Sequence, residues 1–388
     1  MSTIVQRPVL AAQMAAQLIR PGPLDEGLRS GLFLSGTRRT GKTTFVLHDL
    51  IPALEQEGAI VIYVDLWSNV EASPATLVND AVGATLKEAE TAGSRLANRL
   101  AHIASANIGV FGLKLGLKLD GLGTLDGLTL AAAFTRLVDT AKTNVVLIVD
   151  EVQHAITTEE GNALLLALKA ARDAINPRPG TPGYFQFIGA GSHRALVSEL
   201  TARRSQAFAG ATSLAFPMLG ADYVDYLLAR LHAAGGAILP SRAVAVEGFV
   251  TLGHRPEEML RALGQLQTVA ERGDPDALFP VIAATLRSAA ADVELAKLAQ
   301  LGGLATAVFE RIAASDGDAR GLFSADAAAD YARVLGREVR VDEIQPAVND
   351  LMDANLILRR GHGLYGLSDP YVQEIWRERR ALTARVDR

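Results

Sequence analysis

The chain has 388 residues, 49% of them hydrophobic, and a formal net charge of −5 at pH 7. This length predicts two or three domains, each able to bury a sizeable core. The absence of cysteine excludes disulfides, cysteine-ligated zinc and thiol catalysis, and the acidic balance disfavours a protein that coats nucleic acid without specificity. A local basic patch remains compatible with that balance.

Residues 1–23 alternate apolar and polar side chains without a continuous apolar stretch, which is not the pattern of a secretory signal peptide. No uncharged apolar run in the sequence approaches the length of a membrane span. The seven histidines form no pair at helical spacing, which disfavours a metal site made of protein ligands alone. We therefore expect a cytoplasmic protein.

Residues 36–43 read G-T-R-R-T-G-K-T, which is the spacing of a phosphate-binding loop. Glycines at both ends would let the backbone curl so that its N–H groups face phosphate oxygens at the start of the following helix. Lys42 would reach the β and γ phosphates, and the Thr43 hydroxyl would ligate Mg²⁺. The apolar run 31–35 and the helix-like segment 44–55 favour this interpretation over a chance match. The predicted nucleotide-binding residues are Gly36, Thr37, Arg38, Arg39, Thr40, Gly41, Lys42, Thr43 and Thr44.

Two arginines, Arg38 and Arg39, lie inside this loop. They point either outward or toward a partner, and the sequence does not place their side chains.

Residues 111–119 alternate apolar side chains with Gly or Lys, which is typical of a strand. They predict a β-rich insertion at about 105–127. This insertion contacts DNA or another subunit through Lys114 and Lys118, or it is a hairpin packed on its own domain.

The apolar run 145–149 ends in two acids, Asp150 and Glu151, as expected for a central parallel strand whose carboxyl end faces a ligand crevice. Asp150 is predicted to hold Mg²⁺ through water opposite Thr43, and Glu151 to orient and polarise the water that attacks the γ-phosphorus. Solvated acids at a strand end are the alternative. The position downstream of a phosphate loop, with room for one more strand between, favours the catalytic interpretation.

Three further apolar runs, 59–65, 184–189 and 213–216, predict strands that alternate with helices. Together they predict an α/β fold with a doubly wound parallel sheet of about five strands. Thr157 and Glu160 have the spacing of a capping box before the helix that follows Glu151.

Beyond residue 216 the sequence becomes helix-dense and rich in alanine. We predict a P-loop ATPase core at 1–218, a helical lid at 219–285 and a C-terminal winged-helix domain at 286–388. Helices at 304–313, after Ser324 and at 341–352, followed by a wing at 356–367, support the last assignment.

The charges of this last domain leave its partner open between DNA and protein. The third helix carries four acids, which phosphate would repel: Asp342, Glu343, Asp350 and Asp353. Arginines of the wing and tail partly restore positive charge: Arg359, Arg360, Arg377, Arg379 and Arg380.

The order of these parts resembles the AAA+ and related ATPases of the additional-strand class, particularly the initiator-like branch. The resemblance covers roughly the first 270 residues. It rests on the loop at 36–43, the segment D-E-V-Q at 150–153, the turn I-G-A-G-S at 188–192 and G-H-R-P at 253–256. The sequence also resembles a bacterial group of ATP-binding proteins with similar D-E-V-Q and L-K-A-A-R-D-A-I-N segments.

The resemblance implies a polar sensor at the end of the strand after Glu151. Ser192 matches this position, with His193 as the alternative. Arg203 and Arg204 are candidates for an arginine finger given to a neighbouring subunit, or they are a solvated pair at a helix end.

Arg255 is predicted to sense nucleotide, from resemblance and from charge. It precedes Pro256, which suits the first turn of a helix, and a cation at that positive end needs an anionic partner. The partner is a nucleotide phosphate, or Arg255 is an exposed side chain that reaches Glu258.

These features predict an enzyme, a P-loop ATPase that uses ATP and Mg²⁺. ATP is favoured over GTP because no guanine-selecting N-K-x-D motif occurs. One hypothesis is a homo-oligomer that couples hydrolysis to DNA-associated work such as replication initiation, transposition or defence. The other is a slow nucleotide-controlled switch that signals to a protein through residues 286–388.

Overall fold

The structure is a computed structural model of the chain. It describes residues 4–69, 71–90, 129–156, 158–192, 194–202, 206–235, 237–269, 273–316, 318–361 and 363–386. The insertion predicted at 105–127 lies outside the described residues, as do Thr157, His193, Arg203 and Arg204. The chain divides into two compact units, one made of Ser2–Gly36 with Lys42–Phe216 and the other of Thr37–Gly41 with Pro217–Arg388.

A parallel β-sheet organises the first unit. Its five strands are β1 Leu32–Ser35, β2 Ile60–Asp65, β3 Val145–Asp150, β4 Phe185–Gly191 and β5 Thr212–Ala215. They lie in the order β2-β3-β4-β1-β5, so β4 separates the strand before the phosphate-loop motif from the strand that ends in Asp150. The predicted doubly wound five-stranded α/β fold is confirmed.

Burial along the strands follows their place in the sheet. Every residue of the inner strands β1, β3 and β4 is buried, whereas β2 at one edge alternates between buried and partly exposed positions. A strand covered on both faces must be apolar throughout, and an edge strand need not be. Phe33, Leu147 and Phe187 join one core on one face, and Leu34, Ile148 and Ile188 join another on the opposite face.

Helices cover both faces of this sheet. They are α1 Pro8–Ile19, α2 Glu26–Ser30, α3 Lys42–Phe45, α4 Ile51–Gln56, α5 Pro74–Glu90, α6 Leu130–Ala141, α7 Gln153–Ile156, α8 Glu159–Ile175 and α9 Arg194–Ala202. A π-helical turn, Val46–Leu50, connects α3 to α4.

Two details of the first unit differ from the sequence prediction. The N-cap of α8 is Thr158, whose Oγ1 accepts from the backbone N–H of Gly161, so the capping box placed at Thr157 is wrong by one residue. The sheet also continues through Gly191 instead of ending at Gly189, because Leu34 and Ser35 of β1 pair with Ala190 and Gly191.

The second unit is mainly helical. Its helices are α10 Ala221–Ala234, α11 Arg242–Thr251, α12 Pro256–Val269, α13 Pro275–Gln300, α14 Gly303–Ala314, α15 Ala325–Leu335, α16 Val341–Asp353 and α17 Pro370–Val386. In the described parts of the chain, none of the helices combines the length and the apolar character needed to cross a membrane.

The C-terminal part of this unit has the order of elements predicted for a winged helix. Three helices, α14 to α16, precede an antiparallel hairpin formed by β6 Ile357–Gly361 and β7 Leu364–Leu367. Their apolar side chains share one core, and an isolated bridge between Ala319 and Tyr365 joins the hairpin to the segment after α14. The predicted boundary at 285 falls inside the continuous helix α13, so the three-domain division stays a prediction.

A substitution at Gly161 would test how closely α7 packs against α8. A Cβ atom added there would lie 2.2 Å from the carbonyl oxygen of Ala155, which is backbone and cannot rotate away. We expect Gly161→Ala to lower the free energy of unfolding by about 1–3 kcal/mol. Gly264→Ala is the control, because a Cβ atom there meets nothing within 4 Å and should stabilise its helix by roughly 0.5–1 kcal/mol. Calorimetry of both variants checks this, and equal melting of Gly161→Ala and the wild type would contradict it.

Candidate functional site

The backbone of the phosphate-loop motif curls, as its glycines predict. Gly41 has a φ of +88°, in a region that side chains disfavour, and Arg39 has a φ of +66°. The hydroxyl of Thr40 donates to the carbonyl oxygen of Thr37 at 2.9 Å, which closes the turn. The backbone N–H of Gly36 donates to the carbonyl oxygen of Gly191 at 3.3 Å, so the first residue of the motif is tied to the end of β4.

Lys42 is a cation in a buried position at the start of α3. It is 6% exposed, and among the described residues no hydrogen bond or ion pair involves its side chain. Burying an ammonium group is costly unless an anion compensates it. The position therefore fits a group that binds a phosphate.

Asp150 is the most buried carboxylate of the site, with 1% exposure, at the carboxyl end of β3. Its Oδ2 accepts from the hydroxyl of Thr43 at 2.6 Å and from the hydroxyl of Tyr63 at 3.4 Å. Its Oδ1 accepts from the backbone N–H of Glu151 at 2.9 Å. The two residues predicted to hold Mg²⁺, Thr43 and Asp150, are thus in direct contact. Hydroxyl and carboxylate oxygens are the ligands that Mg²⁺ prefers, so the pair fits that ion.

Glu151 leaves the strand in an unusual conformation. Its φ is +54°, which is uncommon for a residue with a side chain and often marks a functional position. Its Oε2 accepts from the hydroxyl of Ser192 at 3.0 Å and from Nε2 of Gln153. Nε2 of Gln153 also donates to the hydroxyl oxygen of Ser192 at 3.3 Å. Two buried polar side chains therefore orient the carboxylate of Glu151, which is predicted to polarise the attacking water.

A glycine at the end of β4 makes room for this network. A Cβ atom on Gly191 would lie 2.5 Å from Oε1 of Gln153 and 2.7 Å from a methyl group of Val197. Any side chain at this position would push Gln153 away from Glu151. The G-A-G-S segment thus supplies both the polar sensor candidate, Ser192, and the space behind it.

Tyr63 and Gln153 are members of the site that the sequence analysis did not assign. Gln153 is the last residue of the D-E-V-Q segment, whose pattern alone predicts no role for it. Its position two residues after Glu151 is a usable signal, since the short α7 begins at that residue. Tyr63 carried no such signal because it precedes Asp150 by 87 residues. Only the pairing of β2 with β3 brings them together.

Arg255 has a partner that the sequence analysis did not foresee. Its guanidinium NH2 lies 2.6 Å from Oδ2 of Asp369, with the two side chains 15% and 21% exposed. The expectation that a cation before Pro256 needs an anion is met within the chain itself. The alternative, an exposed arginine that reaches Glu258, is wrong.

Glu258 instead pairs with the phosphate-loop motif. Its Oε1 lies 3.4 Å from NH1 of Arg39, and its Oε2 lies 3.3 Å from NH1 of Arg261. The Nε atom of Arg39 is also 3.5 Å from Oε2 of Glu257. The second loop arginine thus points to the first turn of α12, which the sequence could not determine.

The structure brings together Lys42, Thr43, Asp150, Glu151 and Ser192 within the first unit, at the carboxyl edge of its sheet. Parallel sheets place ligands at this edge, where neighbouring strands diverge into different loops. Arg255 lies in the second unit and is held by Asp369 there.

Comparisons with known proteins find a matching family model and similar solved structures. The family model for the AAA domain matches residues 26–195. A Walker-type ATPase of Pyrococcus abyssi has a similar structure, with a TM-score of 0.54, 17% identity and 96% of each chain covered. The ORC2 protein of Aeropyrum pernix in its ADP form has a TM-score of 0.51 and 12% identity, over 98% of this chain and 95% of that one. No curated protein matches the sequence.

Both structural likenesses are at low identity and concern the fold, whereas the family match covers the segment that carries the phosphate loop, Asp150, Glu151 and Ser192. Residues 26–195 therefore match an AAA domain with a P-loop ATPase site, and the fold of the chain is similar to those of a Walker-type ATPase and an ORC2 protein.

Proposed function

We propose that the chain binds ATP with Mg²⁺ at the phosphate-loop motif and hydrolyses it with Glu151 as the general base. The contact between the hydroxyl of Thr43 and the carboxylate of Asp150 carries this proposal, because it joins the loop to the acidic end of β3 at 2.6 Å. The buried ammonium of Lys42 supports it, since a triphosphate would supply the anion that this position needs.

Each residue has a distinct part in the proposed reaction. Backbone N–H groups of the loop and Lys42 bind phosphate oxygens, and Thr43 and Asp150 hold Mg²⁺. Mg²⁺ bound there supplies positive charge that offsets the charge on the β and γ phosphates. Glu151 accepts a proton from the attacking water, and Gln153 and Ser192 fix the direction of its carboxylate.

The division of roles between Lys42 and Glu151 gives one prediction. Lys42→Ala should abolish ATP binding, because it removes the cation that faces the phosphates. Glu151→Gln should retain binding and lower turnover by about 10²–10⁴, the usual contribution of a general base. Calorimetric binding and phosphate release measure the two effects.

Glu159→Gln, an exposed residue at the start of α8, is the matched control and should behave like the wild type. Equal hydrolysis by the wild type and Glu151→Gln would refute the general-base assignment.

We further propose that ATP promotes self-association of the chain and that Arg255 senses the nucleotide in this step. Arg255 is held by Asp369, which follows β7. A triphosphate carries more negative charge than one carboxylate, so it can compete for the guanidinium. Arg203 or Arg204 would then act on the nucleotide of a neighbouring subunit.

A pair of variants separates sensing from simple structural support. Arg255→Ala should weaken ATP-dependent self-association, measured by light scattering, because no cation remains to bind the phosphate. Asp369→Asn keeps the size of the side chain but removes its charge, so the ion pair with Arg255 is lost and assembly should be retained or strengthened. Thermal melting reports the folding of each variant. Equal loss of assembly in both would assign Arg255 a structural role only.

For the C-terminal domain we propose contact with duplex DNA, coupled to ATP-driven assembly. We propose that Arg359 and Arg360 of β6 are the residues that contact phosphates. Acids at the start of α16 are partly compensated within the domain. Glu343 accepts from the backbone N–H of Arg340 and from Arg337, and these interactions hold its pKa below its usual range. The remaining acids of α16 still disfavour a fit in the major groove, so we expect weak, sequence-tolerant binding.

The tail arginines favour a second candidate, a switch that signals to a protein. Arg377 donates to the backbone carbonyl oxygens of Ala313 and Ser315. Arg379 pairs with Asp292 at 2.5 Å, and Arg380 lies 3.4 Å from Glu310. These cations already have acceptors inside the domain, so they add less to a DNA-binding surface than the sequence predicts. A protein partner would need no such positive surface.

Salt dependence distinguishes the two candidates. Replacing Arg359 and Arg360 with alanine should reduce the slope of log affinity for duplex DNA against log salt by about 1–2, because each lost phosphate contact removes about 0.9. Arg333→Ala, which removes a mostly exposed arginine of α15, should leave the slope unchanged. Fluorescence anisotropy at several salt concentrations, with and without ATP, gives the slopes. No DNA binding in any nucleotide state would favour the protein switch.

A further inference from the structure

Tyr63 is an unassigned neighbour of the proposed metal site. It lies on β2, whose residues pair in register with those of β3, so that Asp65 is opposite Asp150. The hydroxyl of Tyr63 donates to Oδ2 of Asp150 at 3.4 Å, the oxygen that also accepts from Thr43. Hydroxyls from two other elements of the first unit, β2 and α3, therefore meet at one carboxylate oxygen.

The hydroxyl of Tyr63 stays a donor in this position. A phenol has one O–H proton, and at neutral pH it donates that proton to the carboxylate. Among the charged groups at this edge, Tyr63 is a neutral group that can bind a carboxylate without adding to the repulsion.

The hydroxyl of Thr43 binds Oδ2 of Asp150, and the backbone N–H of Glu151 binds Oδ1. A threonine hydroxyl has one proton, and it is committed to Oδ2, so its lone pairs are left for a cation. The same carboxylate must present a lone pair toward the water shell of that cation. A second hydroxyl on Oδ2 limits the rotation of the carboxylate, as partners behind metal ligands generally do.

We propose that Tyr63 is a positioning residue for the divalent cation: its hydroxyl orients Asp150 so that Thr43 and Asp150 present their oxygens to Mg²⁺ together. This inference rests on the proposed nucleotide site and adds a residue to it. The ring of Tyr63 also packs against the core beneath the sheet. A role in packing alone would need the ring but not the hydroxyl.

Tyr63→Phe separates the two roles because it retains the ring and removes the hydroxyl. The affinity for ATP is measured by calorimetry in EDTA and at increasing Mg²⁺ concentration. We expect the variant to keep its melting temperature and its affinity in EDTA. The Mg²⁺ concentration that gives half of the increase in affinity should rise about tenfold, the low end of the effect of removing a partner behind a metal ligand.

Tyr184→Phe is the matched control, because Tyr184 precedes the amino end of β4, whereas the site lies at the carboxyl ends of the strands, and its ring lies near Arg29. It should show the Mg²⁺ dependence of the wild type. The same Mg²⁺ dependence in Tyr63→Phe and the wild type would overturn the positioning role while leaving the nucleotide site intact. If the wild type fails to bind ATP in either condition, the proposed function itself fails.

Discussion

A buried carboxylate at the end of a central strand constrains the rest of the site. Asp150 is 1% exposed, and a charge taken out of water requires hydrogen bonds or cations in return. Two hydroxyl groups donate to Asp150: that of Tyr63, on the neighbouring strand β2, and that of Thr43, on the helix after the phosphate loop. Both donors are neutral hydroxyls, so they satisfy an oxygen of Asp150 without offsetting its negative charge. That charge suits a divalent cation.

The strand order explains why Glu151 and Ser192 meet. β4 lies between β3 and β1, so the residue that follows β4 is placed beside the residue that follows β3. Glu151 adopts a positive φ there, and its carboxylate turns to Gln153 and Ser192. The lack of a side chain at Gly191 keeps the space that Gln153 occupies. The arrangement proposed to be catalytic is thus a consequence of sheet topology together with close packing behind Glu151.

The sequence predicted those parts of the molecule whose chemistry is local. The phosphate-loop spacing, the apolar strand before Asp150 and the alternation of strands and helices each depend on residues close in sequence. Contacts between distant segments were inferred only where a known reaction demanded them, as for Thr43 and Asp150, which are 107 residues apart. Tyr63 was missed because nothing in its own surroundings along the chain distinguishes it from other aromatic residues of a strand.

The charge of Arg255 predicts that it has an anionic partner but does not identify that partner. A cation before the first turn of α12 requires an anion, and electrostatics fixes the sign of that partner without fixing its identity. A carboxylate 114 residues later in the chain, that of Asp369, meets the requirement.

The same limit applies to the arginines of the tail. Their number predicts a positive surface, yet carbonyl oxygens and acids of the same domain already bind Arg377, Arg379 and Arg380. Net charge counted along a sequence therefore overstates what a folded surface offers to phosphate, because ion pairs within the fold use part of that charge first.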